Sequence, residues 1–308
     1  MAQIVVIGSL NMDIIATCAR LPQPGETVMG TGYLNEPGGK GANQAYAAAR
    51  LGADVAMLGR VGSDEHGKHL CANLAAVGCD VSGVQALQGS SGVAVIYVAQ
   101  SGENCIVVVP GANARYSPAD LHADDRRWAN VQFALLQLEI PLDTVIKAAR
   151  LAKHHGAQVI LDPAPVLPSL PPELLPHVDI LTPNEVEASR LAGGRSGTLS
   201  LDEARVIAKQ LQAMGPGTVI MKLGAQGCLV AEGDVVTLVP APHVNVVDTT
   251  AAGDVFNAAL AVARTDGVSM LEACCFAVRA AAFSVTRLGA QRSMPSRADL
   301  NAFSGAKS

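Results

Sequence analysis

The residues best placed to do chemistry form one short run, Asp248-Thr249-Thr250-Ala251-Ala252-Gly253-Asp254-Val255-Phe256-Asn257. It follows an extended stretch, Val244–Val247, and opens an Ala-rich helical stretch, Ala258–Arg264. Small residues at a helix N-terminus let backbone N–H groups close on an anion, and the helix dipole favours negative charge there. Asp254 then stands beside any phosphate so bound and can accept the proton of an attacking hydroxyl. Capping the helix is the other common duty of an aspartate in this place, and spacing alone admits both.

Further candidates sit at strand ends and helix starts. Asn11 and Asp13, two residues apart at the end of a strand, share a face and can fork onto adjacent hydroxyls; a turn made by two turn-forming residues is the alternative. Gly38-Gly39 permits positive φ and close backbone approach, and Asn43 falls in the first turn of the helix that follows. Glu139 ends a strand ahead of Ile140-Pro141, so its carboxylate points to the crevice or charges the next helix N-terminus. Asn184, Glu185 and Glu187 open a helix after Pro183. Residues two apart on a helix diverge by about 200°, so the two glutamates cannot face one ligand. Gly224 and Gly227 either let a nucleotide lie against the backbone or form an ordinary hairpin turn.

The elements that must position these residues alternate. Ile4–Ile7, Val55–Leu58, Phe133–Leu138, Gln158–Leu161, Ile180–Leu181 and Thr218–Met221 read as strands. Ala42–Leu51, Gly67–Val77, Leu142–His154, Asn184–Ala192 and Leu201–Ala213 read as helices. This rhythm predicts an α/β fold, a mostly parallel sheet with helices on both faces and ligands at the carboxyl strand ends. Gly92–Ala99 and Asn104–Pro110, joined by Gln100-Ser101-Gly102-Glu103, break the rhythm with a hairpin. With the extended Thr27–Leu34 they predict a small antiparallel sheet that serves as a lid or a dimer contact. The glycine-rich patch Gly193–Gly197 reads as a loop.

Composition narrows the function classes. The 308 residues are 49% hydrophobic and 16% charged, enough for a large core. A net charge of −5 argues against a nucleic-acid partner, and ten aromatic residues are too few for a base-stacking surface. Neither a signal peptide nor a run of membrane-spanning length is read, and seven scattered cysteines without CxxC spacing suit reduced thiols in the cytosol. No GxGxxG follows the first strand and no GxxxxGK[ST] occurs, against a Rossmann dehydrogenase and a P-loop kinase.

The run at Asp248 resembles the second signature of the ribokinase (PfkB-type) family of carbohydrate kinases, D-T-x-A-A-G-D-x-F. Gly38-Gly39-Lys40-Gly41-Ala42-Asn43 is similar to the first signature. Gly8–Asp13, the N-x-x-E run Asn184–Glu187, the L-G-x-x-G loop Leu223–Gly227 and the tail Val285–Gln291 also match, in family order across nearly the whole chain.

The resemblance implies a three-layer αβα sandwich spanning 1–308 as one domain, with a lid from about 14–36 and 89–110. It implies transfer of phosphate from ATP to the 5-hydroxyl of D-ribose, or of deoxyribose or another sugar or nucleoside. Asp254 would be the base, with Ala251, Ala252 and Gly253 forming the anion hole. Asn11, Asp13, Gly38, Gly39, Lys40, Asn43 and Glu139 would hold the sugar. Asn184, Lys222, Gly224, Gly227, Gly253 and Val278 would hold the nucleotide, with Glu187 reaching Mg²⁺ through water. Asp248, Thr250, Ser284, Arg287, Gly289 and Ser293 would surround K⁺, the last of the implied ligands. A cytoplasmic homodimer joined through the lid completes the expectation. A non-catalytic sugar-binding protein on the same fold is the rival, and retention of Asp254 and the N-x-x-E run speaks against it. The chain departs from the pattern at Val278-Arg279, where a polar Asn or His is usual near the adenosine. Met12 leaves the preference at the sugar 2-position open.

Overall fold

The computed structural model describes residues 2–122, 125–194 and 199–303. First come β1 (Ile4–Ile7), β2 (Asn11–Cys18), β3 (Gly30–Gly38), α1 (Lys40–Arg50), β4 (Val55–Gly62), α2 (Glu65–Ala76), β5 (Asp80–Leu87), β6 (Gly92–Ala99) and β7 (Asn104–Val109). Next are β8 (Phe133–Leu136), α3 (Leu142–His154), β9 (Gln158–Leu161), β10 (Ile180–Leu181), α4 (Glu185–Leu191), α5 (Leu201–Ala213), β11 (Thr218–Lys222), β12 (Cys228–Glu232) and β13 (Val235–Val239). The last helices are α6 (Ala252–Thr265), α7 (Met270–Ser284) and α8 (Arg297–Ala302).

Nine strands form one sheet, ordered β13-β12-β11-β10-β9-β8-β1-β4-β5. Every pairing from β5 across to β11 is parallel, and only the β11–β12 and β12–β13 pairings are antiparallel, so β12 alone is reversed. Alternate residues feed two layers. Ile4 and Val6 pack in a cluster with α1, α6 and α7, whereas Val5 and Ile7 pack with α3, α4 and α5. Strands covered on both faces read as unbroken apolar runs, which is why periodicity finds them. Each fully buried Val, Leu or Ile contributes roughly 1.5–3 kcal/mol, so the strand ends are held on a stiff platform. Chain order reverses at β1, with β4 and β5 on one side and β8 to β11 on the other. Ligands collect in the crevice at such a switch point.

The second sheet, ordered β3-β2-β6-β7, is the small sheet expected as a lid. It differs from expectation in two ways. Its central pairing, β2 with β6, is parallel, while the outer two are antiparallel. It also begins at Asn11, so Asn11 and Asp13 open the second strand rather than end the first. Their turn-forming bias is overridden because β2 is paired on both sides, to β3 and β6. Val244–Val247 is not a strand either; Val247 N–H donates instead to the Val285 carbonyl, 2.7 Å away. Of the glycine-rich patch, residues 195–197 lie outside the described residues. No helix among the described residues is long and apolar enough to cross a membrane, and all seven cysteines are free.

Candidate functional site

Asp254 sits in the first turn of α6, 5% exposed. The turn before it is made by Ala251, whose φ of 59° is left-handed and strained for a residue with a Cβ. Ala251, not Asp254, occupies the cap position, so the carboxylate is available for other work. Asn43 Nδ2 donates to Asp254 Oδ2 at 3.0 Å and Gln44 Nε2 to Oδ1 at 3.1 Å. Burial pushes this carboxyl up to about 6, opposed by Lys40 and the two amides and reinforced by Asp162. Ala252 N–H donates to the Thr249 carbonyl at 3.2 Å. Gly253 and Asp254 follow in the first turn, where N–H groups have no intrahelical acceptor and face an incoming anion.

A second group of carboxylates gathers beside the base. Gly39, with φ of 88°, lets α1 start against the β1–β2 turn; a Cβ there would stand 2.7 Å from the Asn11 nitrogen. Lys40 N–H donates to Glu139 Oε2 at 3.1 Å, and Ser9 Oγ donates to the same oxygen. Asn113 Nδ2 donates to Asn11 Oδ1 at 2.8 Å and to the Leu10 carbonyl, while its Oδ1 accepts from Leu10 N–H, fixing that turn. Asp13 lies against Gly38, where any Cβ would strike its carboxylate. Burial, then Glu139, Glu36 and Asp254, push Asp13 up to about 7. Asn11, Asp13 and Glu139 are thus brought together with Asp254, a set of acceptors suited to a polyhydroxyl ligand.

On the other side of Asp254 opens a cavity of about 480 Å³, large enough for a nucleotide. Lys40, Asp162, Asn184, Glu187, Lys222 and Gly253 form its polar end, and Val278 belongs to its apolar wall. Asn184 and Glu187 are locked in a capping box at the start of α4, with both Glu187 oxygens accepting from Asn184. Burial raises the Glu187 carboxyl, while Lys222 pulls it down. A carboxylate already engaged at both oxygens suits a hydrated Mg²⁺ better than direct ligation. Glu185 turns away and accepts from Leu199 N–H at 3.4 Å. Gly224 and Gly227 flank the β11–β12 turn and also line the cavity. Burial would lower the Lys40 ammonium, but Asp254, Asp162, Glu139 and Glu187 outweigh it and hold it above its ordinary range. Arg279 does not line this cavity and donates to the carbonyls of Leu300 and Phe303.

Of the loop residues expected around K⁺, Thr250 and Gly289 meet on Asp248. Asp248 Oδ1 accepts from the Thr250 N–H and hydroxyl at 2.9 and 2.6 Å, and Oδ2 accepts from Gly289 N–H at 2.8 Å. Burial would raise this carboxyl, but those hydrogen bonds outweigh it and hold it below the ordinary range. Ser284 and Ser293 donate their hydroxyl protons to the Ala281 and Ala290 carbonyls. Their lone pairs, the Asp248 carboxylate and nearby backbone carbonyls are all hard oxygens, which fits a weakly hydrated cation. The Arg287 guanidinium stacks on Phe283, leaving only its backbone to serve such a site.

Three site residues escaped the sequence reading: Gln44, Asp162 and Asn113. Asp162 had a signal, because it directly follows the carboxyl end of β9; Glu139, expected to end its strand, stands three residues beyond β8, which stops at Leu136. Gln44 and Asn113 had none; a helix glutamine and a loop asparagine look like surface residues until the fold buries them.

The pfkB family carbohydrate kinase model matches residues 1–297. A ribokinase of Bacillus subtilis is 43% identical over 298 residues, covering 96% of this chain and 97% of that protein. A deoxyribokinase of Salmonella typhimurium is 38% identical, covering 97% and 98%. The Arabidopsis thaliana ribokinase complexed with ribose and ATP superposes with a TM-score of 0.91 at 37% identity, covering 98% of each chain. With its signature runs gathered around one buried aspartate, this chain belongs to the pfkB family of carbohydrate kinases.

Proposed function

We propose that this protein is an ATP-dependent ribokinase, with residues 1–308 acting as one kinase domain under its lid. The observation that carries this reading is a buried carboxylate, Asp254, standing between an acceptor-rich sugar pocket and a nucleotide-sized cavity at a helix N-terminus. Asn11, Asp13 and Glu139 accept the ribose hydroxyls, with Gly38, Gly39, Lys40 and Asn43 shaping the pocket. Asp254 takes the proton of the 5-hydroxyl as its oxygen attacks the γ-phosphorus. The new O–P bond forms, the bridging P–O bond breaks, and its electron pair leaves with ADP. The Gly253 N–H, at the turn set by Ala251 and Ala252, meets the charge on the transferring group.

Asn184, Gly224, Gly227 and Val278 receive the nucleotide. Mg²⁺, held through water by Glu187, would neutralise phosphate charge. K⁺, held by Asp248, Ser284, Ser293 and the backbones of Thr250, Arg287 and Gly289, would stiffen the anion-hole loop. The free thiols and the absence of a membrane-spanning helix among the described residues suit a cytoplasmic enzyme. The exposed apolar lid suits a homodimer.

The test is coupled-assay turnover on ribose, 2-deoxyribose, fructose and ribonucleosides. Ribose should give the highest kcat/KM. A tenfold or greater preference for 2-deoxyribose would replace this reading with a deoxyribokinase.

A further inference from the structure

Lys222 ends β11, where its N–H donates to the Pro183 carbonyl at 2.8 Å and its backbone bridges Asn184. The side chain lines the cavity. There Nζ lies 3.1 Å from Asp162 Oδ1, both groups largely buried. The ammonium also lies over Gly253: a Cβ built on that residue would stand 3.3 Å from Nζ. Glycine at 253 therefore makes room for a cation as well as for an anion. Asp162 is in turn fixed by Gln44, whose Nε2 also donates to the catalytic-site Asp254. One amide thus sets the spacing between the carboxylate that holds Lys222 and the carboxylate that takes the proton.

We propose, on the basis of the kinase reading above, that Lys222 is a catalytic residue. It presents a preorganised positive charge to the transferring phosphoryl group, and Asp162 is its positioning partner. The ammonium needs no rearrangement to serve, because it already overlies the amide that meets the γ-phosphoryl oxygens. Lys40, from α1, lines the same cavity, and its charge too faces Asp162 and Asp254. A fixed charge aimed where negative charge shifts during transfer lowers the barrier more than it tightens ground-state binding.

The alternative is that the pair is structural, Lys222 only neutralising a buried Asp162. Lys222→Met alone would leave that carboxylate unpaired and risk misfolding. The decisive protein is therefore Lys222→Met combined with Asp162→Asn, which removes both charges at once. Thermal unfolding should place its stability close to wild type, with kcat still down by roughly 10²-fold. Calorimetric titration with ADP should change less than about threefold, because the ground state gains little from this charge. Titration with ADP, Mg²⁺ and aluminium fluoride in the presence of sugar should lose at least about tenfold of the wild-type tightening. Lys222→Arg should keep part of the rate. Recovery of wild-type kcat in the double variant, or an ADP loss as large as the kcat loss, overturns the proposal. All ratios are taken on the sugar that wild type turns over, so a wrong sugar fails the functional reading while these ratios still decide the role of Lys222.

Discussion

Asp254 and Asp13 share an environment that penalises their ionised forms, and this has two opposite consequences. For catalysis, Asp254 must be ionised to take a proton. Its carboxyl stands at about 6 and that of Asp13 at about 7, so kcat/KM should fall as pH drops through that interval. The two interact, so the limb belongs to the pair rather than to one residue. A profile flat from pH 8 to pH 5 would remove Asp254 from the role of base. For stability the sign is reversed. The ordinary value for both is 3.8, so between there and 7 the folded chain binds more protons than the unfolded one. The ligand-free protein should therefore lose stability progressively as pH rises from about 4 to about 7. Asp13→Asn, which cannot ionise, should melt about 2 °C or more above wild type at pH 8 while binding ribose more weakly. Asp254→Asn should lower kcat by roughly 10²–10⁴-fold, with ribose Kd within about tenfold, because the amide keeps its shape but takes no proton.

The loops and helix starts that carry these residues were legible to different degrees. β1, β9, β10, α3 and α5 were read with their observed limits, because two-sided burial or a strong apolar stripe leaves little freedom. The edge strand β5 was not: its Asp80, Ser82 and Gln85 break the apolar run and leave the strand half wet. The pairing of β2 with β6 was hidden too, since it joins residues some eighty positions apart and depends on the whole lid. The loop around Asp248 was legible by resemblance, and its hydrogen bonds give the physical reason. Asp248 ties Thr250 to Gly289, joining the start of α6 to the segment after α7. A cation among these oxygens should preorganise the Gly253 amide, which acts on the transition state more than on substrate. K⁺ should accordingly raise kcat, and Asp248→Ala should blunt that response while leaving residual turnover. Equal rates with K⁺ and with a bulky organic cation in its place would refute the assignment.

At the scale of the molecule, the lid presents a surface that a lone chain leaves to water. Every residue of β7 is exposed, and Ile106, Val107, Val108 and Val109 each expose about half their surface. Register places Val107 beside Val95 and Cys105 beside Tyr97 on one face, with Ile106 beside Ile96 on the other. β7 is also an edge strand, with one side of its backbone unpaired in the sheet. A long apolar edge invites pairing, and closing it against the same sheet of a second copy buries both edge and face under two-fold symmetry. Sedimentation at micromolar concentration should therefore find a dimer, and Val107→Asp should shift it to monomer. The lid strand β2 begins with Asn11 and carries Asp13, so loosening the lid should reach the sugar site without touching the base. The monomeric variant is expected to show a raised KM for ribose and a nearly unchanged kcat at saturation, the pattern of lost uniform binding. A wild-type monomer at that concentration, with the lid protected from hydrogen exchange, would mean that the apolar face is not a dimer contact.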